Sequence, residues 1–154
     1  MSVIEIYCRV RFPALRLMLI QALKELSDKE KQEKDWVSKG TGRAFWGKFI
    51  DYWDVFDLLE LNINPEEKIG FSIYDKKEYL ALQPLYKALE KIDRSKTNNN
   101  SDLENINSSL WEEVIKSATV ALKVFLKNEE EAKKTNPKAW QGEDDWGREP
   151  ECNH

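Results

Sequence analysis

Three aspartates, Asp51, Asp54 and Asp57, are the residues best suited by type to do chemistry, and they lie inside the segment from Arg43 to Leu61. Gathered carboxylates can hold a divalent cation or share general acid and base roles. A spacing of three winds them across a helix surface instead of bringing them together. They read first as the polar side of an amphipathic helix, then as an acidic stripe for a protein partner, and last as a metal site. His154, the final residue, is the one histidine, which argues against triads, histidine acid–base catalysis and zinc–histidine sites. Cys8 has no histidine near it in sequence to activate a thiolate. Cys8 and Cys152 are too few for a disulfide framework, and two free thiols are favoured over a pair. The stretch Ser38-Lys-Gly-Thr-Gly42 has the composition of a phosphate loop, but it lacks Walker spacing and a clear preceding strand, so it reads as a linker. No catalytic set, metal or cofactor is expected.

A second acidic group lies near the C-terminus, where Glu143, Asp144, Asp145, Glu149 and Glu151 flank Trp146. Acids around an aromatic anchor suit docking to a basic protein. A solvated, unordered terminus is the plainer alternative. The chain has 154 residues, 41% hydrophobic and 34% charged, with a formal net charge of -4. That suits one soluble globular domain with a sizeable core. Mild acidity argues against nucleic acid as a partner and is compatible with a basic protein. The apolar run Leu15 to Ile20 is interrupted by Arg16 and is too short to span a bilayer. No secretory signal is visible, and the expected location is the cytoplasm.

The elements that must position these groups are helical. Phe45, Phe49, Tyr52, Trp53, Phe56 and Leu59 recur at spacings of three and four, predicting a central helix that supplies most of the core. Ile50, Val55, Leu58 and Leu61 fall outside that stripe, predicting neighbours on several sides. Pro13 suits a first helical turn, followed by a stripe of Leu15, Met18, Leu19, Ala22, Leu23 and Leu26. Ser27 with Glu30 reads as a capping box opening a charged segment, which Trp36 and Val37 tuck back onto the core. Asp75 with Glu78 opens another helix, with Tyr79, Leu82, Leu85, Tyr86, Leu89 and Ile92 inward and a kink or break at Pro84. Ser109 with Glu112 opens a helix burying Trp111, Ile115, Ala118, Leu122 and Phe125. It ends in a charged stretch from Lys127 to Lys134 and stops at Asn136-Pro137. The weak alternations at 2–10 and 69–73 fit short strands or extended segments, and a two-stranded pairing between them is open. The expected architecture is mainly α: a single bundle of four to five helices over residues 1–137, at most a short two-stranded β element, and a tail over 138–154. That tail is either unordered or docked through Trp140 and Trp146.

Several of these features together resemble small bacterial immunity-type proteins, the cytoplasmic partners of toxins such as those of contact-dependent growth inhibition. They are the amphipathic helix ending in Leu26-Ser27-Asp28, the turn with Gln32 and Trp36, and the aromatic, acidic helix from Phe49 to Leu59. The pattern continues with Pro65-Glu-Glu-Lys-Ile-Gly70, then Asp75, Glu78, Ala81, Leu82 and Leu85, then Ser101-Asp-Leu-Glu104 and Leu110-Trp-Glu-Glu-Val114. The resemblance implies tight binding to one cognate toxin without catalysis, and it assigns no functional residue. A general interaction or regulatory module is the alternative, and a metal-dependent enzyme using the central aspartates is the third reading. The partner-binding candidates are Asp51, Asp54, Asp57, Asp144, Asp145 and Trp146.

Overall fold

The computed structural model describes residues 4–8, 10–37, 44–95 and 100–142. Helix accounts for 74% of them, and no strand forms among them. In chain order the α-helices are α1 (Pro13–Leu26), α2 (Lys29–Gln32), α3 (Ala44–Leu59), α4 (Lys76–Arg94), α5 (Asp102–Ile106) and α6 (Ser109–Thr135). A π-helical turn, Glu33–Val37, continues α2, and a 3-10 turn, Pro65–Lys68, precedes the loop into α4. The mainly α expectation holds.

The centre of the fold is α6, not α3. The long α6 packs against α4 and α1, while α3 lies against α1, α5 and the π turn. On α3, Phe45, Phe49, Tyr52, Phe56 and Leu59 are buried as the stripe predicts. Trp53 is half-buried, and Ile50 and Leu58 are 55% and 60% exposed. So α3 is covered on one side rather than surrounded. The aromatic mass still meets the core there: Trp111 of α6 lies 4.8 Å from Phe45 and 5.8 Å from Trp36, ring centre to ring centre. Edge-to-face and tilted packing of this kind adds to area burial.

Local signals place the helix ends with small shifts. Asp28, not Ser27, caps α2 by accepting from the Lys31 amide at 3.1 Å, because Ser27 is already the C-cap of α1 and donates to the Lys24 carbonyl. Ser108, not Ser109, caps α6 through the Trp111 amide. Asp75 caps α4 as expected. Ser101 and Glu104 form a reciprocal capping box on the short α5. Pro84 does not break α4, which runs through it. The proline sits on the exposed face, and the carbonyl it leaves unbonded belongs to Leu80, itself 45% exposed. Water can satisfy that group while Leu82 and Leu85 stay buried on the other side.

The 69–73 segment is met just past the first candidate strand, at residues 11 and 12, and not as a ladder. The Arg11 and Phe12 amides donate to the Gly70 and Phe71 carbonyls at 2.9 and 2.8 Å, and the Phe12 and Phe71 rings touch. Among the described residues the single bridge joins Ile69 to Ile73 within one tight turn, where Gly70 takes φ +84°. Cys8 is disulfide-bonded, in place of the expected free thiol, and Cys152 lies outside the described residues. The Trp140 amide donates to the Ile6 carbonyl at 2.6 Å and its ring packs on the core, so the chain just past α6 is docked.

Burial separates residues that the stripe alone treats alike. Phe56→Ala should cost about 3–5 kcal/mol, the range for aromatic truncation in a packed core. Trp53→Ala should cost clearly less, and Lys31→Ala should stay within about 0.5 kcal/mol. Urea-unfolding midpoints measure all three, and equal losses for Phe56 and Trp53 would contradict this placement of the core.

Candidate functional site

The densest assembly of charged side chains is buried. Arg16 interrupts the apolar run of α1 yet is fully buried. It falls in phase with Leu19, Ile20 and Leu23, at three, four and seven residues on, so it sits on the buried face, while Met18 is 37% exposed. Two of its nitrogens grip Glu78 of α4 at 2.7 and 2.8 Å, and Nε donates to Glu129 of α6 at 2.6 Å. The guanidinium lies 3.3 Å from the ring centre of Tyr74 and 5.0 Å from that of Phe125.

Both carboxylates are filled from other sides too. Glu78 accepts from the Tyr74 amide at 2.7 Å and from Asn128 Nδ2 at 2.8 Å. Glu129 accepts from the Tyr7 amide at 2.9 Å and from the Tyr74 hydroxyl. Asn128 also donates to Asp75 at 3.1 Å. Burial pushes Arg16 toward losing its proton, but Glu78 first, with Tyr74 and Glu129, reverses that and holds it above its ordinary value. Tyr74 is raised chiefly by burial, with Arg16 opposing and Glu129 adding to the rise.

Such a cluster has the composition of an active site but not its access. Arg16 and Glu78 are 0% exposed and Glu129 5%, so no reactant reaches them. The cluster joins the N-terminal segment, α1, the 69–75 loop, α4 and α6. The sequence reading missed it, taking Arg16 as an interruption, Glu78 as a cap partner and Glu129 as part of a charged helix end. The available signal was phase. Glu78 shares a helical face with Leu82, Leu85 and Leu89, and Glu129 shares one with Phe125 and Ala132.

The expected partner-binding aspartates are exposed, and they are not brought together. Asp51 lines an open cleft of about 1280 Å³ bounded by α1, α2 and α3. Asp54 and Asp57 lie outside that cleft, toward the other flank of α3, as a spacing of three implies. Along this flank Trp46, Ile50, Trp53 and Asp57 recur at four, three and four residues, with Asp54 beside them. Both tryptophans are half-buried and bracket the buried Phe49. Trp46 meets it edge-on at 5.7 Å, and Trp53 stacks on it at 5.9 Å and 23°. Their outer faces are therefore presented on a packed support. Among the described residues no three acidic, cysteine or histidine side chains form a metal-binding group, so the aspartates have no metal-binding geometry. Asp144, Asp145 and Trp146 lie outside the described residues.

Residues 10–133 match the model of a domain of unknown function, DUF7945. The chain belongs to that family. The matched span holds α1 to α5, nearly all of α6 and every charged member of the buried cluster; Tyr7, Cys8 and Trp140 fall outside it. No curated protein and no solved structure matches the chain. No described helix is long and apolar enough to cross a membrane.

Two measurements follow from this geometry. Arg16→Met leaves two buried carboxylates without their counter-charge and should cost about 3–5 kcal/mol at neutral pH. Urea unfolding of variant and parent reads the loss, and a variant as stable as the parent would contradict the role given to Arg16. At the alkaline end, Tyr52, Tyr74 and Tyr86 all have raised pKa values, in each case chiefly from burial. The unfolded chain ionises its tyrosines near pH ~10 while the folded chain keeps those protons. Their contribution is therefore present below about pH 10 and lost as pH rises through it. Tyr52→Phe should flatten that decline; an unchanged slope would show that the Tyr52 phenol titrates normally in the fold.

Proposed function

We propose that this family member is a non-catalytic binding protein, and specifically an immunity-type protein that neutralises a basic protein toxin in the bacterial cytoplasm. The observation that carries the proposal is the outer flank of α3. There two rigidly supported tryptophans and the exposed Ile50 stand beside Asp54 and Asp57. Aromatic anchors ringed by charge are the usual energetic centre of a protein interface. Acidic groups at the rim speed encounter with a basic partner and suppress the wrong ones. The immunity-like sequence pattern and the net charge of -4 support the same reading. Asp144, Asp145 and Trp146 form the second candidate surface, and Asp51 is assigned to the opposite flank of α3.

The test is inhibition of a basic toxin encoded by an adjacent gene, with binding followed kinetically. Trp53→Ala should cost about 2 kcal/mol or more, mostly as faster dissociation. Reversing Asp54 and Asp57 to Lys should slow association at low salt and leave dissociation nearly unchanged. Reversing Asp144 and Asp145 to Lys probes the competing surface in the same way. A toxin left fully active by excess protein at low salt defeats the immunity reading, and a general interaction module takes its place.

A further inference from the structure

We infer that the cleft between α1 and α3 is a second docking site, and that it takes an acidic amphipathic helix from a partner protein. The cleft lies on the flank of α3 away from Trp46 and Trp53, so the inference is independent of the function proposed above. Its two walls are helix faces. On α1, Leu17, Gln21 and Lys24 recur at four and three residues, and Asp28, the N-cap of α2, lies beyond the end of that helix. On α3, Lys48, Asp51, Tyr52 and Val55 recur at three, four and seven. Faces with this repeat are ridged to receive another helix. The α1 wall from Leu17 to Glu25 is about 12 Å long, the length of about two helical turns. A volume of about 1280 Å³ exceeds the usual small-molecule pocket, and the cleft is open along one side.

The floor and rim specify the occupant's chemistry. Leu17, Met18, Val55 and Leu122 supply apolar surface, and Met18, at 37% exposed, is an adaptable contact residue. Lys29, Lys31 and Lys48 stand exposed on the rim and make no ion pair among the described residues. The acids of the rim are largely occupied within the fold. Glu25 accepts from the Tyr52 hydroxyl at 2.8 Å, and Asp28 caps α2. Both keep their charge, so with Lys24 the lining carries four ammonium groups against the three carboxylates Glu25, Asp28 and Asp51. A protein of net charge -4 thus carries an apolar-floored cleft whose lining is net positive by one charge. Charge complementarity calls for carboxylates along the edges of an apolar helical stripe.

The probe is a synthetic peptide of about fourteen residues, with leucines at i, i+3, i+4, i+7 and glutamates elsewhere. Its controls are the lysine-for-glutamate version and a scrambled sequence. The full-length protein should bind the acidic peptide alone, and affinity should fall as salt rises. Amide shifts should be concentrated at Leu17, Met18, Lys48 and Val55, and the peptide should gain helix on binding. Charge reversal of Lys29, Lys31 and Lys48 to Glu should weaken binding about tenfold or more. Exposed lysines tolerate that change, and an unaltered thermal midpoint confirms the fold. Equal binding of the lysine peptide, shifts outside the cleft or no binding at low salt would overturn the inference. So would a self-associated form abolished by Met18→Asp, which gives the cleft to a second copy. Partition onto anionic vesicles without peptide binding overturns it as well.

Discussion

One buried arginine must be neutralised, and much of the fold is arranged to do it. Arg16 enters the core on the apolar face of α1, where an unpaired charge is strongly disfavoured. Glu78 of α4 and Glu129 of α6 meet it, and Tyr74 and Phe125 close over its faces. Two carboxylates against one guanidinium leave an excess of negative charge. The Tyr7 and Tyr74 amides, the Tyr74 hydroxyl and Asn128 offset it with donors. A cluster of this kind contributes little net stability over an apolar core of equal volume, but losing one member is severe. It ties α1 to α4 through Glu78 and to α6 through Glu129.

The same constraint accounts for the place of α3. With α1, α4 and α6 tied at the polar cluster, the aromatic helix packs beside α1 and closes the opposite end of the core. Asp102, buried at 4% exposure, helps hold it there by accepting from the Ala44 and Phe45 amides at 3.2 and 3.0 Å. These are the otherwise unpaired donors at the start of α3. Gln32 plays a similar part at the other junction. It donates to the last carbonyls of α1 and accepts from the Trp111 indole at 2.8 Å. Held on one side, α3 offers two outward flanks of different chemistry, one aromatic with acids and one bordering the lysine-rimmed cleft.

Sequence periodicity located the helices because burial of a stripe is a local property of spacing. It mislocated the importance of α3, because hydrophobic content measures how much surface wants cover and not how much receives it. Ile50 and Leu58 are as apolar as core residues and stand exposed. The aspartates were correctly read as winding around the helix. Which of them shares a surface with Trp46 and Trp53 depends on how α3 is rotated against α1, and that rotation is decided by packing.

By itself, then, the sequence determined the mainly α class, the capped helix starts at Asp75 and within a residue of Ser27 and Ser109, and the inward stripe of α4. Each depends on residues within about two turns of one another. Only the tertiary structure decided that Arg16, Glu78 and Glu129 belong together. They are 62 and 113 residues apart as measured from Arg16. A charged side chain on an apolar face reveals that a partner is needed, but not where in the chain the partner is. The two flanks of α3 were settled at the same level, since a surface exists only once neighbouring helices have chosen what to cover.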